Sequence, residues 1–294
     1  MLMLIMKAFV SILIILLTIR SISIAQTPHI IIIGIDGLGA YGVKKFPTPV
    51  LDSMMQHGSY TLKAKAVNPT YSMPNWASIT MGVPTKIHQI KSNGWTRAQS
   101  PRRNRTSEIP TMFKVISDSD SSMDIAIFNH WKEFLNLVEP ELPLYSIHID
   151  NSDSITHHAI QYQNTYHPVL NFIHLDLVDK AGHKYGLKSE EYKGAVMKAD
   201  SLAGAIIHSV LTSTQDKNYI FLVTSDHGIK GKGHGGMARK IKRIPWIATG
   251  YNIKAGNEIK RKVHTYDTAC TIIKLLNLEI PQEWTGKVIE EIFR

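Results

Sequence analysis

The sequence predicts an α/β fold: a three-layer α/β/α sandwich with a mostly parallel central sheet. Three observations carry this. Short strand patterns alternate with helical ones along the chain, the order that produces crossover connections and parallel pairing. Two strand segments, His29–Ile35 and Tyr219–Thr224, are rich in aliphatic and aromatic residues on both faces, as strands lying between two helix layers must be. No internal repeat or low-complexity linker interrupts the pattern, so one domain over residues 26–294 fits better than two.

The elements follow in order. After the His29 strand comes Asp36-Gly-Leu-Gly39, then a helix from Pro49 to about His57, with Thr48 as its N-cap and Pro49 at the first helical position. Tyr60 to Val67 alternates and reads as a strand. Pro74 to Met81 is a short helix ending at Gly82. Residues 84–108 hold Pro, Gly, Asn and Arg and read as a long irregular connection, a class of loop that is often functional. Helices are expected at Ile109–Ser119 and Ser154–Tyr166, and strands at Asp124–Phe128 and Val169–Leu175. Ser189 to Thr212 places Tyr192, Val196, Ala199, Leu202, Ile206 and Val210 on one helical face, with Ser189 and the acids after it as a start signal. A short strand at Ile244–Thr249 and a helix at His264–Leu276 complete the pattern.

The first 25 residues differ. Lys7 precedes an apolar run from Ala8 to Ile19, and Ser23-Ile-Ala25 offers small residues where a signal peptidase reads. Residues 1–25 are therefore expected to be a cleaved signal peptide, with secretion or a periplasmic location; the run is short for a spanning helix, which needs ~20 apolar residues. Lys7 and Arg20 are its two basic residues, so the mature chain keeps 31 of 33 basic residues against 24 acidic ones. That balance favours anionic substrates or surfaces, with a solvated basic face as the plainer alternative. Zinc-finger spacing, RNP-type aromatics and a heptad basic region are all missing, which argues against nucleic acid. The one cysteine, Cys270, falls in an apolar helical pattern and reads as a packed core thiol.

Polar residues gather where strands end. The first strand delivers Asp36, the Val169 strand Asp179 and His183, and the Tyr219 strand Asp226, His227 and then His234. Ends of parallel strands share one sheet edge, where ligands bind in open α/β folds. Carboxylates and imidazoles are ligands for zinc and similar ions, and this set is large enough for two. Taken singly, each is equally a loop cap or a packed histidine. Ser72, just before Pro74, supplies a hydroxyl at a helix start, where free N–H groups favour phosphate. Asn75 supplies an amide donor.

The combination IGIDG (33–37), SMPN (72–75), DKAGH (179–183), SDHG (225–228) and GHGG (233–236) resembles the alkaline phosphatase superfamily, most closely its type I phosphodiesterase/nucleotide pyrophosphatase branch and bacterial secreted members. The motifs run in the same order over residues 29 to about 290. The resemblance implies a metal-dependent phosphohydrolase with two divalent ions, zinc by preference. One ion would be held by Asp36, Asp226, His227 and the Ser72 hydroxyl, the other by Asp179, His183 and His234. Ser72 would attack phosphorus to give a phospho-serine intermediate, with Asn75 and the backbone N–H after Ser72 holding phosphoryl oxygens. The substrate would be a small phosphate ester.

Two departures bear on the subgroup. The phosphodiesterase branch usually has Thr where this chain has Ser72, and the segments that would form a nucleotide pocket are short. A phosphomonoesterase, a phosphonate hydrolase and a sulfatase are alternatives on the same scaffold, although Ser72-Met-Pro-Asn75-Trp76 lacks the Arg of a sulfatase motif. An inactive binding protein is a further alternative. A monoester would call for an extra cation, for which Lys132 or Arg97 are candidates; Trp131 or Trp95 could instead stack on an organic group. His174 reads as a packed strand residue, and Asp176 as a residue that could orient a ligand histidine.

Overall fold

The computed structural model describes residues 27–99, 109–214 and 218–294. The expected signal peptide and residues 100–108 of the expected long connection lie outside these residues. The described strands are β1 (His29–Ile35), β2 (Gly58–Lys65), β3 (Ile125–Asn129), β4 (Tyr145–His148), β5 (Leu170–Leu175), β6 (Tyr219–Thr224), β7 (Arg243–Gly250) and β8 (Asn257–Glu258). They form one sheet in the order β4-β3-β5-β1-β6-β7-β2-β8. Of the eight, β7 alone runs against the rest, pairing antiparallel with both β6 and β2.

The isoleucines of β1 show why the sheet is a middle layer. Ile30 and Ile32 point into one core with Trp76, Phe172 and Ala269, beneath the Ser72–Met81, Met112–Ser119 and Asp267–Leu275 helices. Ile31, Ile33 and Ile35 point into the other with Val196, Ala203 and Ile155, beneath the Pro49–His57, Ser152–Tyr166 and Glu190–Ser213 helices. Successive side chains of a strand face opposite ways, so an all-apolar strand requires both faces covered. No helix among the described residues is long and apolar enough to cross a membrane.

Several local expectations shift for identifiable reasons. Thr48 occupies the N-cap position but its side chain makes no capping bond. Asp200, from the Glu190–Ser213 helix, does the capping across the core, accepting from Val50 N at 3.1 Å and Leu51 N at 2.9 Å. The last long helix starts at Asp267 rather than His264, because residues 263–265 are held alongside β2: Lys65 N donates to Val263 O and Thr265 N to Lys65 O. Residues 84–99 are not wholly irregular; they include a Thr85–His88 helical turn and a 3₁₀ turn at Arg97–Gln99. Strands β4 and β8 carry no buried residue, so they lack the apolar signature that a strand reading depends on. Cys270 is fully buried and burial pushes its thiol up to about 12, in keeping with a core role.

Candidate active site

Sheet register sets the site. Gly34 of β1 lies opposite His174 of β5 and Thr224 of β6. Two residues further on, the three neighbouring strands end in a row of Asp36, Asp176 and Asp226. Adjacent strands lie about 4.8 Å apart, so three carboxyl groups meet at one buried edge. Gly37 makes the exit turn after Asp36 at φ +72°, donates its N–H to Asp226 Oδ1 at 3.2 Å, and has no room for a Cβ against Asp179.

The inner half of the site is dry. Asp36, Ser72, Asp226 and His227 are all buried, at 1, 4, 0 and 0% exposure. His227 Nε2 is their meeting point: Ser72 Oγ is 3.1 Å away, Asp226 Oδ2 3.1 Å and Asp36 Oδ1 3.6 Å. Ser72 opens its helix, the first residue after the N-cap Tyr71. The other oxygen of Asp36, Oδ2, accepts from Trp76 Nε1 at 2.9 Å and His174 Nε2 at 3.2 Å. The Trp76 ring reaches there by crossing Gly34, where a Cβ would lie 2.6 Å from it.

The outer half opens to solvent. Asp179 lies on the Leu177–Tyr185 helix, and His183, one turn later, brings Nε2 to 3.3 Å from Asp179 Oδ2 with its side chain 48% exposed. His234 Nε2 sits 3.8 Å from Asp179 Oδ1. His234 Nδ1 donates to Thr70 O at 2.9 Å, which fixes the tautomer and leaves Nε2 as the ligand atom. The His227 and His234 rings stack at 3.7 Å and join the halves. Ligand atoms of Asp179, His183 and His234 lie within 4.8 Å of one another, as do those of Asp36, Asp179 and His227, so Asp179 stands between the halves.

Burial and crowding set the protonation. Burial, then the charges of Asp36 and Asp179, push Asp226 well above the usual carboxylate range. The same causes in the same order push Asp176 up to about 8, against a partial pull from Lys180. Burial would also raise Asp36, but the His174 hydrogen bond, the His227 and His174 charges and the Trp76 hydrogen bond together hold it low. His227 is pushed down to about 4, chiefly by burial. Asp36 Oδ1, Asp179 Oδ1 and Asp226 Oδ2 are buried without an aligned donor. Crowded carboxylates with orphaned oxygens, beside imidazoles presenting Nε2, fit divalent cations.

Seven of the eight expected site residues thus come together: Asp36, Ser72, Asp179, His183, Asp226, His227 and His234. Asn75 does not present its amide there. It is fully buried, Oδ1 accepts from Val67 N at 2.7 Å, and Nδ2 donates to Tyr71 O at 2.9 Å and Pro69 O at 3.3 Å. Its donors are used in tying the 67–71 loop to the helix. The backbone N–H after Ser72 is engaged as well: Met73 N donates to Asn93 Oδ1 at 3.0 Å. That bond brings the solvent-exposed Asn93 beside Ser72 with its NH2 end still available. The sequence reading missed Asn93, whose only signal was its place in the long connection, and Trp76, which was taken only as the end of the Ser72 motif. It also underrated His174, whose signal was its place two residues before the strand-end Asp176.

Neither cation candidate touches the gathered residues among the described contacts. Arg97 donates to Leu137 O at 2.6 Å and lies 3.8 Å from Glu139. Lys132 is exposed on a 3₁₀ turn. Trp131 approaches the site from behind, its ring 6.3 Å from that of His174, and Trp95 packs against the core.

A model of type I phosphodiesterase/nucleotide pyrophosphatase matches residues 30–113 and 112–236, which span all seven gathered residues. The chain belongs to that family. Among curated relatives, human bis(5'-adenosyl)-triphosphatase ENPP4 is 23% identical over 226 residues, 69% of this chain and 48% of that protein. A 2,3-bisphosphoglycerate-independent phosphoglycerate mutase of Prochlorococcus marinus is 33% identical over 136 residues, 42% of this chain and 24% of that protein. The chain thus spans half or less of the length of these relatives. Murine ectonucleotide pyrophosphatase/phosphodiesterase 5, in a complex with AMP, superposes with TM-score 0.75 at 13% identity, covering 91% of this chain and 100% of that one. A 2-O GAG sulfatase superposes with TM-score 0.68 at 17% identity, covering 90% of this chain and 74% of that one. At these identities the superpositions establish the shared α/β fold.

Proposed function

We propose that this protein hydrolyses phosphodiester or pyrophosphate bonds of small phosphate esters, with Ser72 as nucleophile and two divalent ions, zinc by preference. Asp36, Asp226, His227 and Ser72 would hold one ion and Asp179, His183 and His234 the other. The observation that carries the reading is the convergence of Ser72 Oγ, Asp226 Oδ2 and Asp36 Oδ1 on His227 Nε2, with both carboxylate oxygens otherwise unmatched. When bound, such a pair neutralises phosphoryl charge and lowers the pKa of a hydroxyl. Ser72 Oγ forms the bond to phosphorus as the ester oxygen leaves on the opposite side. Water then attacks the phospho-serine and releases Ser72. Asn93, anchored through Oδ1, donates to a nonbridging oxygen in the place first assigned to Asn75.

Charge favours a diester over a monoester. Arg97 is committed to Leu137 and Glu139, and Lys180 to Asp150 and Asp176. A singly charged phosphodiester makes the smaller demand on what remains. The AMP held by the murine relative suggests a nucleotidyl group as one half of the ester. The signal-peptide pattern of residues 1–25 supports secretion or a periplasmic location.

The test is hydrolysis of bis-p-nitrophenyl phosphate and p-nitrophenyl phosphate by the zinc-loaded mature chain, with a chelated control and the Ser72→Ala variant. Chelator-sensitive preference for the diester, abolished in Ser72→Ala with metal content retained, is the expected result. Near-normal turnover by Ser72→Ala would remove Ser72 as the nucleophile, and preference for the monoester would make the enzyme a phosphatase.

A further inference from the structure

Beside the site, on the same edge of the sheet, lies a groove of about 310 Å³ with no acidic residue in its lining. Lys65, Lys86, Lys242, Lys262 and His264 line it. Four chain segments converge to build it, around residues 65–68, 84–86, 242 and 262–264. Lys65 ends β2 and pairs directly across from Arg243, the first residue of β7. Ala66 N donates to Lys242 O at 3.0 Å, and Lys65 bridges to His264. Like charges placed directly opposite on neighbouring strands are destabilising, yet no ion pair to Lys65, Lys86, Lys242, Arg243 or Lys262 occurs among the described residues. The charges of Lys262, Lys242 and Arg243 lower the Lys65 pKa, Lys262 foremost. Thr85, also in the lining, is 6% exposed, with its hydroxyl itself buried.

Register fixes the groove relative to the catalytic edge. Trp246 of β7 pairs with Thr224 of β6, and continuing that antiparallel pairing sets Arg243 level with His227. Lys65 lies one strand beyond. The groove is therefore about 10 Å, two strand spacings, from the inner half of the site. Its wall is continuous with the site, because residues 66–71 run from the groove directly to Ser72 and are pinned by Asn75.

We propose that this groove binds a second phosphate group of the substrate, so that the preferred substrates are phosphoric esters carrying a distal phosphate. This rests on the reading of Ser72 and its neighbours as the catalytic site. Lysine ammonium groups supply donors to an anion, and the reaching phosphate relieves the crowding of like charge.

The test compares thymidine 5'-(p-nitrophenyl phosphate) with its 3'-phosphorylated form, on wild type and a Lys65→Gln/Lys262→Gln double variant. The 3'-phosphate should lower the wild-type KM about tenfold at low salt, and the gain should shrink as salt rises. The double variant should lose the gain and keep the kinetics of the unphosphorylated ester; Lys86→Gln, at an exposed position, should lose part of it. Calorimetry of inorganic tripolyphosphate against the chelator-treated full chain separates groove from metal centre, with weaker binding expected for the double variant. If neither ester is cleaved but that difference persists, the groove stands as an anion site and the hydrolase reading fails. A 3'-phosphate that gains nothing, or tripolyphosphate binding equal in both proteins, overturns the proposal. So would loss, in the double variant, of binding to phosphatidylglycerol vesicles without any gain from the 3'-phosphate, which would assign the groove to a membrane.

Discussion

His227 and His183 are the same side chain at two depths of one site. His227 is fully buried between two carboxylates and is pushed down to about 4, chiefly by burial. His183 is half in water, and the Asp179 hydrogen bond raises it above the ordinary histidine value. The inner half, built from strand ends and a helix start, is held by the sheet and by Trp76 and His174. The outer half, built from a helix and a Gly-rich loop, depends on Asp179 and on the Thr70 carbonyl that orients His234. Geometry is therefore preorganised inside and adjustable outside, and the two halves should fail differently when altered.

The largest contrast is expected from Asp226→Asn against His183→Ala. Asp226→Asn removes an inner ligand and should cut kcat/KM on the order of 10³-fold. Because burial and neighbouring carboxylates disfavour its charge, the same change should leave the metal-free protein no less stable, and a raised melting temperature is the sharper outcome. His183→Ala should lose one metal equivalent with the melting temperature of the metal-free protein unchanged, since its side chain is half exposed. Metal analysis beside thermal melts checks both. Equal metal loss and equal melting shifts in the two variants would erase the distinction between the halves.

The two asparagines sharpen the contrast between reacting and supporting groups. Asn93→Ala should lower kcat by about 10²-fold while leaving the fold intact. Asn75→Ala breaks three hydrogen bonds, one of them fully buried, that hold the loop before Ser72, and should cost about 2–3 kcal/mol of stability with a smaller loss of kcat per folded molecule. Unfolding curves and active-site-normalised rates distinguish them. If Asn75→Ala damages kcat more than Asn93→Ala at equal stability, the assignment reverses.

The fold and the gathering of these side chains were legible because both are written locally. Strands β1 and β6 were bounded to the residue by apolar runs that end in acid, and sheet order then brings β5, β1 and β6 together without further signal. What could not be read was what depends on partners distant in sequence. Asp200 caps a helix that starts 151 positions earlier, at Pro49, and Thr48 looked sufficient for that task. Asn75 and Asn93 are chemically alike and both follow Ser72. Only the position of the Val67 N–H and the Met73 N–H decides which one is spent on the loop. The antiparallel turn of β7, which sets the basic groove against the site, has no sequence mark.

A smaller effect is expected behind the inner half. Trp76→Phe keeps the ring but removes the N–H that donates to Asp36 Oδ2. Metal affinity of the inner half should fall about 10- to 100-fold, as for other groups that orient a ligand, with the outer half unchanged. Two-step metal titration by calorimetry reports the halves separately. Equal weakening of both steps would mean that Trp76 acts on the whole fold instead of on Asp36.

The mildest test leaves the sequence alone and varies pH. A histidine ligand must be neutral to bind metal, so protons and metal compete for it. A raised value means His183 keeps its proton to higher pH, and it favours the proton well before His227 as pH falls toward the ordinary histidine range. His227, pushed down to about 4, is still neutral there. On acidification the outer half should release its ion first and reversibly, giving two separated steps in metal content, with turnover falling along the first. Replacing His183 by Gln should move the first step and leave the second in place, since the buried cluster does not share its solvent exposure. Simultaneous release of both ions would show that the bridge through Asp179 couples the halves more strongly than their difference in depth divides them.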